Sequence, residues 1–384
     1  MFNLSQPILR VAGIEIRIAA SWILIAALIT WSLSTQVFPL RAPGLSPIDY
    51  LVMGGVGMVL FFVSLLLHEM AHALVARLYG IAVPRITLFL FGGVAELEDE
   101  PRHPREEFWI AIAGPAMSLA LAGGFGLLSR LLAVLGGAGP VSAIAAYLGL
   151  INLVLALFNL LPAFPMDGGR ILRAVLWARG GDLLKATERA AGSGVVFAYL
   201  LIGLGLLGLF QGIQIGGAWQ VLIGVFILMA ARSSIESART KQLLGAETAR
   251  TLMTPNAITA SPHMTLSALV EEIMLPRRVS FVPVVEGAQL LGYIDSAVLN
   301  TIDRDNWDTT QINDVFVALE NAATLAPGTG ALEVLSRVAR TGRRKFLVVE
   351  GRRLDGVLTL SDLTRFMALL SALDPPERES GTRA

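Results

Sequence analysis

Residues 68–72 read His-Glu-Met-Ala-His and lie within an apolar stretch, since no residue of 50–67 carries a charge. On a helix this spacing places His68 and His72 one turn apart on the same face, where two imidazoles can hold one Zn²⁺. Glu69 would then reach the water bound to that ion. Ionisable groups at membrane depth are costly and usually line a bundle interior or a wet cavity, so this position indicates a functional site. The alternative is a pair of hydrogen-bonded core histidines with Glu69 as their counter-ion.

The composition is that of a membrane protein. Of the 384 residues 54% are hydrophobic and only 16% are charged, which is too apolar for an ordinary soluble protein. The formal net charge is zero and the charges are dispersed, so we expect no nucleic acid partner. There is no cysteine, so any metal must be held by histidine and carboxylate side chains.

Six apolar stretches are each long enough to cross a hydrocarbon core of about 30 Å as a helix. They cover approximately residues 20–39, 51–77, 108–136, 141–164, 191–211 and 216–232. We therefore predict a polytopic α-helical membrane protein with six transmembrane helices. With six spans, nearly all basic residues of this region fall on one side, and the positive-inside rule places both termini in the cytoplasm of a multi-pass cell-membrane protein.

A β-rich segment lies between the second and third spans. Residues 86–97 are rich in β-branched and aromatic side chains and are interrupted by Gly92 and Gly93, which predicts a membrane-associated β-hairpin. An open strand edge cannot face lipid, so it should be covered by protein or line a cavity, where it can pair with an extended peptide. A hairpin on the membrane surface is the alternative.

Two histidines are too few for a catalytic zinc, which usually has three protein ligands. Asp167 is the best third ligand, because it lies in the stretch 159–170 at the cytoplasmic end of the fourth span. His103 lies in a charged segment and His263 in the polar C-terminal region. Pro162, Pro165, Gly168 and Gly169 would break the helix on both sides of Asp167 and let its carboxylate turn inward. The alternative for Asp167 is a turn residue that ends a helix.

Asn159 precedes Asp167 by eight residues and can face the same cavity. There its amide can donate to the oxyanion of a tetrahedral intermediate. From the residues alone, a hydrogen bond between helices is the preferred role of Asn159.

The C-terminal region contains an internal repeat. Residues 284–299 and 348–363 share seven identities in 16 positions at an offset of 64 residues, and each copy predicts a β-α-β-β-α unit. The resulting organisation is a membrane domain over 1–235, a linker over 236–248, repeat domains over 249–305 and 306–373, and a disordered tail over 374–384.

The two motifs of the membrane region together resemble those of the intramembrane site-2 protease family. The resemblance covers residues 1 to about 235 and includes Phe91-Gly92-Gly93 and Ala113-Gly114-Pro115. It implies a zinc endopeptidase that cleaves substrate helices inside the lipid bilayer. It further implies one Zn²⁺ per chain on His68, His72 and Asp167, with Glu69 as the base and Asn159 as a stabiliser.

The family also suggests substrates and where they bind. Its strand region is thought to receive unwound substrate as an added strand, so Phe91, Gly92 and Gly93 are the expected substrate-binding residues. A transmembrane substrate such as an anti-sigma factor or a membrane-anchored transcription regulator is the expected partner.

The repeat resembles a tandem pair of cystathionine-β-synthase (CBS) domains, including Leu252-Met-Thr-Pro255 at its start. Such pairs often bind ATP or AMP. The resemblance places Thr359 near a phosphate and Asp362 near a ribose hydroxyl. The first copy departs from this pattern, with Asp295 and Val298 at those positions, so at most one site is expected. The alternative is a CBS pair that serves only to form a homodimer.

Two other functions agree with these features. CBS pairs also regulate channels and transporters, and buried histidine and aspartate can line an ion path. Against a CBS-regulated transporter, the intramembrane polar residues cluster at one depth and the chain has no repeated halves. An inactive scaffold is disfavoured because no element of the site is missing.

Overall fold

A computed structural model describes residues 5–90, 92–135 and 139–373. The chain divides into two compact units, Met1–Glu236 and Ser237–Ala384. Phe91 and the predicted tail 374–384 lie outside the described residues. The finer boundaries that the sequence predicts at residues 248, 305 and 373 stay predictions.

Among the described residues, six helices are long and apolar enough to span a bilayer, which confirms the predicted fold class. The first span is α1 (Ser21–Ser32), a π-helical turn (Leu33–Val37) and α2 (Phe38–Arg41). The other five are α3 (Pro47–Leu78), α4 (Pro104–Val134), α5 (Pro140–Asn159), α7 (Leu183–Phe210) and α8 (Gln214–Leu244).

Helix α3 carries the His-Glu-Met-Ala-His sequence and is longer than the apolar stretch that predicted it. Ser46 caps it, because its side chain accepts from the backbone of Asp49 while the Asp49 carboxylate accepts from the backbone of Ser46. Its 32 residues extend about 48 Å, well beyond a hydrocarbon core of about 30 Å. The polar ends of α3 therefore project beyond the apolar layer or the helix tilts.

A short helix follows α5 where the sequence predicted only a turn. Helix α5 ends at Asn159, and α6 (Asp167–Gly180) begins at Asp167. Gly168 and Gly169 belong to its first turn. A Cβ at Gly168 would lie 2.3 Å from the carbonyl oxygens of Leu160 and Leu161. This turn can therefore pack against the chain that follows α5 only because residue 168 has no side chain.

The predicted hairpin is present as β3 and β4, and it belongs to a sheet of four strands within the described residues. Strands β1 (Ser5–Val11), β2 (Ile14–Ala19), β3 (Arg85–Phe89) and β4 (Gly92–Glu96) lie in that order. The β2–β3 pair is parallel, and the two outer pairs are antiparallel. The buried side chains of β2 and β3 pack on α3, so the sheet is fixed to the helix that carries the motif.

An ion pair joins α4 to α6. The guanidinium of Arg173 donates to the carboxylate of Glu107, whose side chain is only 1% exposed. Arg173 also lies over the ring of Phe164, 5.2 Å from its centroid. The pair therefore fixes α6, with Asp167 at its start, against the first turn of α4.

The C-terminal unit has two sheets, which agree with the predicted repeat. One is β5-β11-β10-β9 and the other β6-β7-β8. The hairpins β6–β7 (Phe281–Glu286, Gln289–Asp295) and β10–β11 (Lys345–Glu350, Arg353–Thr359) are antiparallel, with bulges after Val284 and Val348. These bulges lie 64 residues apart, as the repeat requires.

The remaining elements of this unit are short, apart from two helices. The strands are β5 (Thr254–Pro255), β8 (Val317–Ala318) and β9 (Thr324–Leu325). The helices are α9 (Ala249–Leu252), α10 (Leu266–Ala268), α11 (Leu275–Arg277), α12 (Ser296–Leu299), α13 (Ala331–Thr341) and α14 (Leu360–Leu373). The predicted linker is helical up to Leu244, where α8 ends.

Breaking the ion pair between Glu107 and Arg173 should destabilise the membrane unit. Arg173→Gln leaves a buried carboxylate without its partner, which typically costs about 3–5 kcal/mol. We expect this variant to lower the thermal unfolding temperature of the detergent-purified protein, and Glu107→Gln combined with Arg173→Gln to lower it less. Arg179→Gln, an exposed change on the same helix, is the control. An Arg173→Gln protein as stable as this control would contradict the role of the pair.

Candidate active site

Three atoms of types that bind metal ions converge between α3 and α6. The Nε2 atoms of His68 and His72 and the Oδ2 atom of Asp167 form a triangle with three sides of 3.2 Å. The three residues are 2%, 6% and 8% exposed. The histidines come from successive turns of α3, and the carboxylate comes from the first residue of α6.

The triangle fits a tetrahedral zinc ion. Ligands at about 2 Å from such an ion lie about 3.3 Å from one another. The Nδ1 atom of His72 lies 2.6 Å from the backbone carbonyl oxygen of Ile110, which can only accept a hydrogen bond. Nδ1 of a neutral His72 must therefore carry the proton, and the lone pair of Nε2 faces the triangle. The Nδ1 atom of His68 lies 2.9 Å from Ser118 Oγ, a hydroxyl that can either donate or accept this hydrogen bond.

Arg170 orients the carboxylate of Asp167 from the next turn of α6. Its Nη1 atom lies 4.0 Å from Oδ1, while Oδ2 faces the two imidazoles. The positive charge of this guanidinium favours the ionised form of Asp167, which is the form in which a carboxylate binds a metal.

The triangle opens into a cavity of about 360 Å³. Glu69, Asn159 and Arg170 line this cavity together with the three ligand residues. The fold thus brings the predicted base and the predicted stabiliser to the same cavity as the three predicted ligand residues. One amide hydrogen of Asn159 is used within α5, where Nδ2 donates to the backbone oxygen of Leu155 at 3.0 Å, which leaves the second hydrogen for another acceptor.

One wall of the cavity is the edge strand of the sheet. Residues Gly92 to Ala95 of β4 line the cavity, and within the described part of the chain β4 is an edge strand that pairs with β3. Gly93 lies against Glu69, since a Cβ at this position would be 2.6 Å from Glu69 Cγ. Of the three expected substrate-binding residues, Gly92 and Gly93 are at the cavity, and Phe91 lies outside the described residues.

The sequence did not reveal the residues that hold the ligands in place. Arg170 had a signal, because it follows Asp167 by three residues and i, i+3 positions are neighbours on a helix. Ile110 and Ser118 had none, because their contacts with the imidazoles depend on how α4 packs against α3.

In the C-terminal unit, Thr359 and Asp362 bond to each other. The Asp362 carboxylate accepts from the backbone nitrogen and the hydroxyl of Thr359, at 2.9 and 2.7 Å. This arrangement caps the start of α14. In the first copy, Asp295 accepts from the backbone of Ala297 and Val298 and caps α12. Asp295 also lies 3.8 Å from the ammonium of Lys345 in the second copy.

Comparison with known proteins agrees with both units. The model of Peptidase family M50 matches residues 56–136 and 133–203, and the CBS domain model matches 249–297 and 312–369. A relative from Mycobacterium tuberculosis named zinc metalloprotease Rip3 is 37% identical over 96% of this chain and 94% of its own. A zinc metalloprotease from Methanocaldococcus jannaschii is 30% identical over 96% of this chain and 97% of its own length.

A solved structure, a site-2 protease from Methanocaldococcus jannaschii, is 29% identical to this chain. The match covers 60% of this chain and 95% of that protein's chain, with a TM-score of 0.42. The family assignment rests on the full-length relatives, whose similarity extends over both the membrane unit and the CBS pair. The chain belongs to peptidase family M50, and it is a multi-pass membrane metalloprotease of the site-2 type with a C-terminal CBS pair.

Proposed function

We propose that this protein holds one Zn²⁺ per chain on His68, His72 and Asp167 and cleaves transmembrane segments of membrane-anchored regulatory proteins. The observation that carries the proposal is the equilateral triangle of ligand atoms, which opens into a cavity with a sheet edge as its wall. An anti-sigma factor or a membrane-anchored transcription regulator is the proposed class of substrate.

The residues of the cavity have separate roles in the proposed peptide hydrolysis. Zinc, when bound, polarises the substrate carbonyl and lowers the pKa of a water molecule. Glu69 follows the first histidine on α3, accepts the proton of the attacking water and returns it to the leaving amine nitrogen. The free amide hydrogen of Asn159 donates to the carbonyl oxygen as that oxygen gains negative charge.

Strand β4 is proposed to hold the substrate in an extended form. A helical substrate hides each carbonyl in an i to i+4 hydrogen bond, so it must unwind before a water can attack. The free edge of β4 offers backbone groups that replace the hydrogen bonds lost on unwinding. Gly92 and Gly93 keep this edge without side chains where it passes Glu69.

The proposed orientation places both termini in the cytoplasm. Arg77 at the end of α3, Arg105 at the start of α4 and Arg179 after α5 would then all lie on the inner side. The CBS pair would be cytoplasmic, where ATP and AMP are available to it. We propose that an adenine nucleotide binds near Thr359 and Asp362 and regulates cleavage, and that the CBS pair can also form a homodimer.

Zinc content tests the ligand set without a substrate. We expect about one zinc per chain in the detergent-purified protein and clear loss in His68→Ala and Asp167→Ala, because each removes one of the three ligands. His263→Ala is the matched control, since this side chain is 71% exposed in the C-terminal unit. Undiminished zinc in Asp167→Ala, or a well-folded wild type that takes up no added zinc, would refute the site.

Glu69→Gln tests the proposed base separately from metal binding. An amide cannot accept the proton of the attacking water, and general acid–base catalysis typically contributes 10²–10⁴-fold. We expect cleavage of a transmembrane test substrate in proteoliposomes to slow by roughly that factor while the zinc content stays at one per chain. Cleavage at the wild-type rate would show that another group takes the proton.

Nucleotide binding at the CBS pair is tested by thermal unfolding. A ligand that binds only the folded state raises the unfolding temperature, so ATP or AMP should do so for the wild type. Asp362→Asn should abolish the shift, since it removes the charge proposed to face the ribose but keeps an oxygen for the cap. Asp295→Asn, at the cap of α12, should retain the shift. A shift of equal size in Asp362→Asn would exclude this site.

A further inference from the structure

One face of α4 packs against the triangle of ligand atoms formed by α3 and α6. Ile110, Gly114 and Ser118 follow one another at intervals of four residues and so lie along one stripe of the helix. The outer two hold the imidazoles, since the carbonyl oxygen of Ile110 accepts from His72 Nδ1 and Ser118 Oγ bonds His68 Nδ1. Gly114 lies between these two contacts.

Gly114 faces the ligand atoms themselves. A Cβ built on this residue would lie 2.2 Å from Nε2 of His72 and 2.5 Å from Nε2 of His68. Real Cβ atoms essentially never come closer than 3.0 Å to such atoms. Any side chain at residue 114 would therefore displace at least one imidazole, and it would fill the space beside both nitrogens that a metal ion needs.

We propose that Gly114 is a positioning residue of the metal centre, whose missing side chain leaves room for both Nε2 atoms and the ion. This inference rests on the proposed zinc site. Helix α4 then acts in two ways. Ile110 and Ser118 fix the ring orientations through the Nδ1 atoms, and Gly114 keeps the space beside the Nε2 atoms free. Helix α4 is then as necessary for metal binding as α3 and α6, the two helices that supply ligands.

Other glycines of α4 show that position 114 differs from the rest of the helix. A Cβ at Gly123, Gly124 or Gly126 would meet no atom within 4 Å. Alanine is a better helix former than glycine, so replacing any of these glycines should favour the helix. A harmful effect confined to Gly114→Ala would therefore come from the metal site.

The experiment compares Gly114→Ala with Gly124→Ala, the same change in the same helix. Each protein is stripped of metal in detergent and titrated with Zn²⁺, and both zinc affinity and the zinc-induced rise in unfolding temperature are measured. We expect wild type and Gly124→Ala to bind alike. Gly114→Ala should bind at least about 100-fold more weakly, beyond the roughly 10–100-fold loss typical of outer-shell changes, and should show no rise at the same zinc concentration.

Ser118→Ala is the second variant, and it keeps the inference testable should Gly114→Ala fail to fold. It removes the partner of His68 Nδ1 without adding volume, so zinc affinity should fall roughly 10–100-fold while the metal-free unfolding temperature stays near that of the wild type. Wild-type zinc affinity in Gly114→Ala, or in Ser118→Ala if only that variant folds, would overturn the inference and leave the zinc site standing. A wild type that binds no zinc would instead overturn the proposed function.

Discussion

Two imidazole nitrogens and a carboxylate oxygen lie 3.2 Å from one another in the interior of the membrane unit, and all three are atom types that bind zinc in proteins. The tautomer that Ile110 imposes on His72 leaves no hydrogen on the nitrogen that faces the other two atoms. Such a group is costly in a poorly solvated interior unless a cation or protons compensate it. The rest of the membrane unit can be understood as the structure that brings these atoms together.

Each surrounding element has one task in that arrangement. Helix α3 supplies the histidines and Glu69, and the early end of α5 allows α6 to begin with Asp167 inside the bundle. The ion pair between Glu107 and Arg173 fixes α6 against α4. The sheet packs on α3 through its buried face, and its edge strand β4 lies along the cavity. A peptide added to that edge would therefore pass directly beside Glu69.

The sequence predicted most of this fold because the strongest signals were local. Apolar length predicted six spans, and the two motifs predicted that His68, His72 and Asp167 lie together, as they do in the fold. Helix α6 was missed because Gly168 and Gly169 were interpreted as a break. Instead, Gly168 permits close contact with the carbonyls of Leu160 and Leu161, and Gly169 permits close contact with the backbone of Ala163 and Phe164. The β1–β2 hairpin was missed although Ile14, Ile16 and Ile18 alternate with charged residues, a period typical of a strand. The roles of Gly114 and Ser118 depend on tertiary contacts, which no local pattern encodes.

X-ray absorption spectroscopy of the zinc-loaded protein tests the central claim most directly, because it reports the ligand shell of the ion. We expect a shell of nitrogen and oxygen at about 2.0–2.2 Å with outer-shell scattering from two imidazoles, reduced to one imidazole in His72→Ala. A shell without imidazole, or one that is unchanged in His72→Ala, would mean that zinc binds elsewhere and that the triangle is not the metal centre.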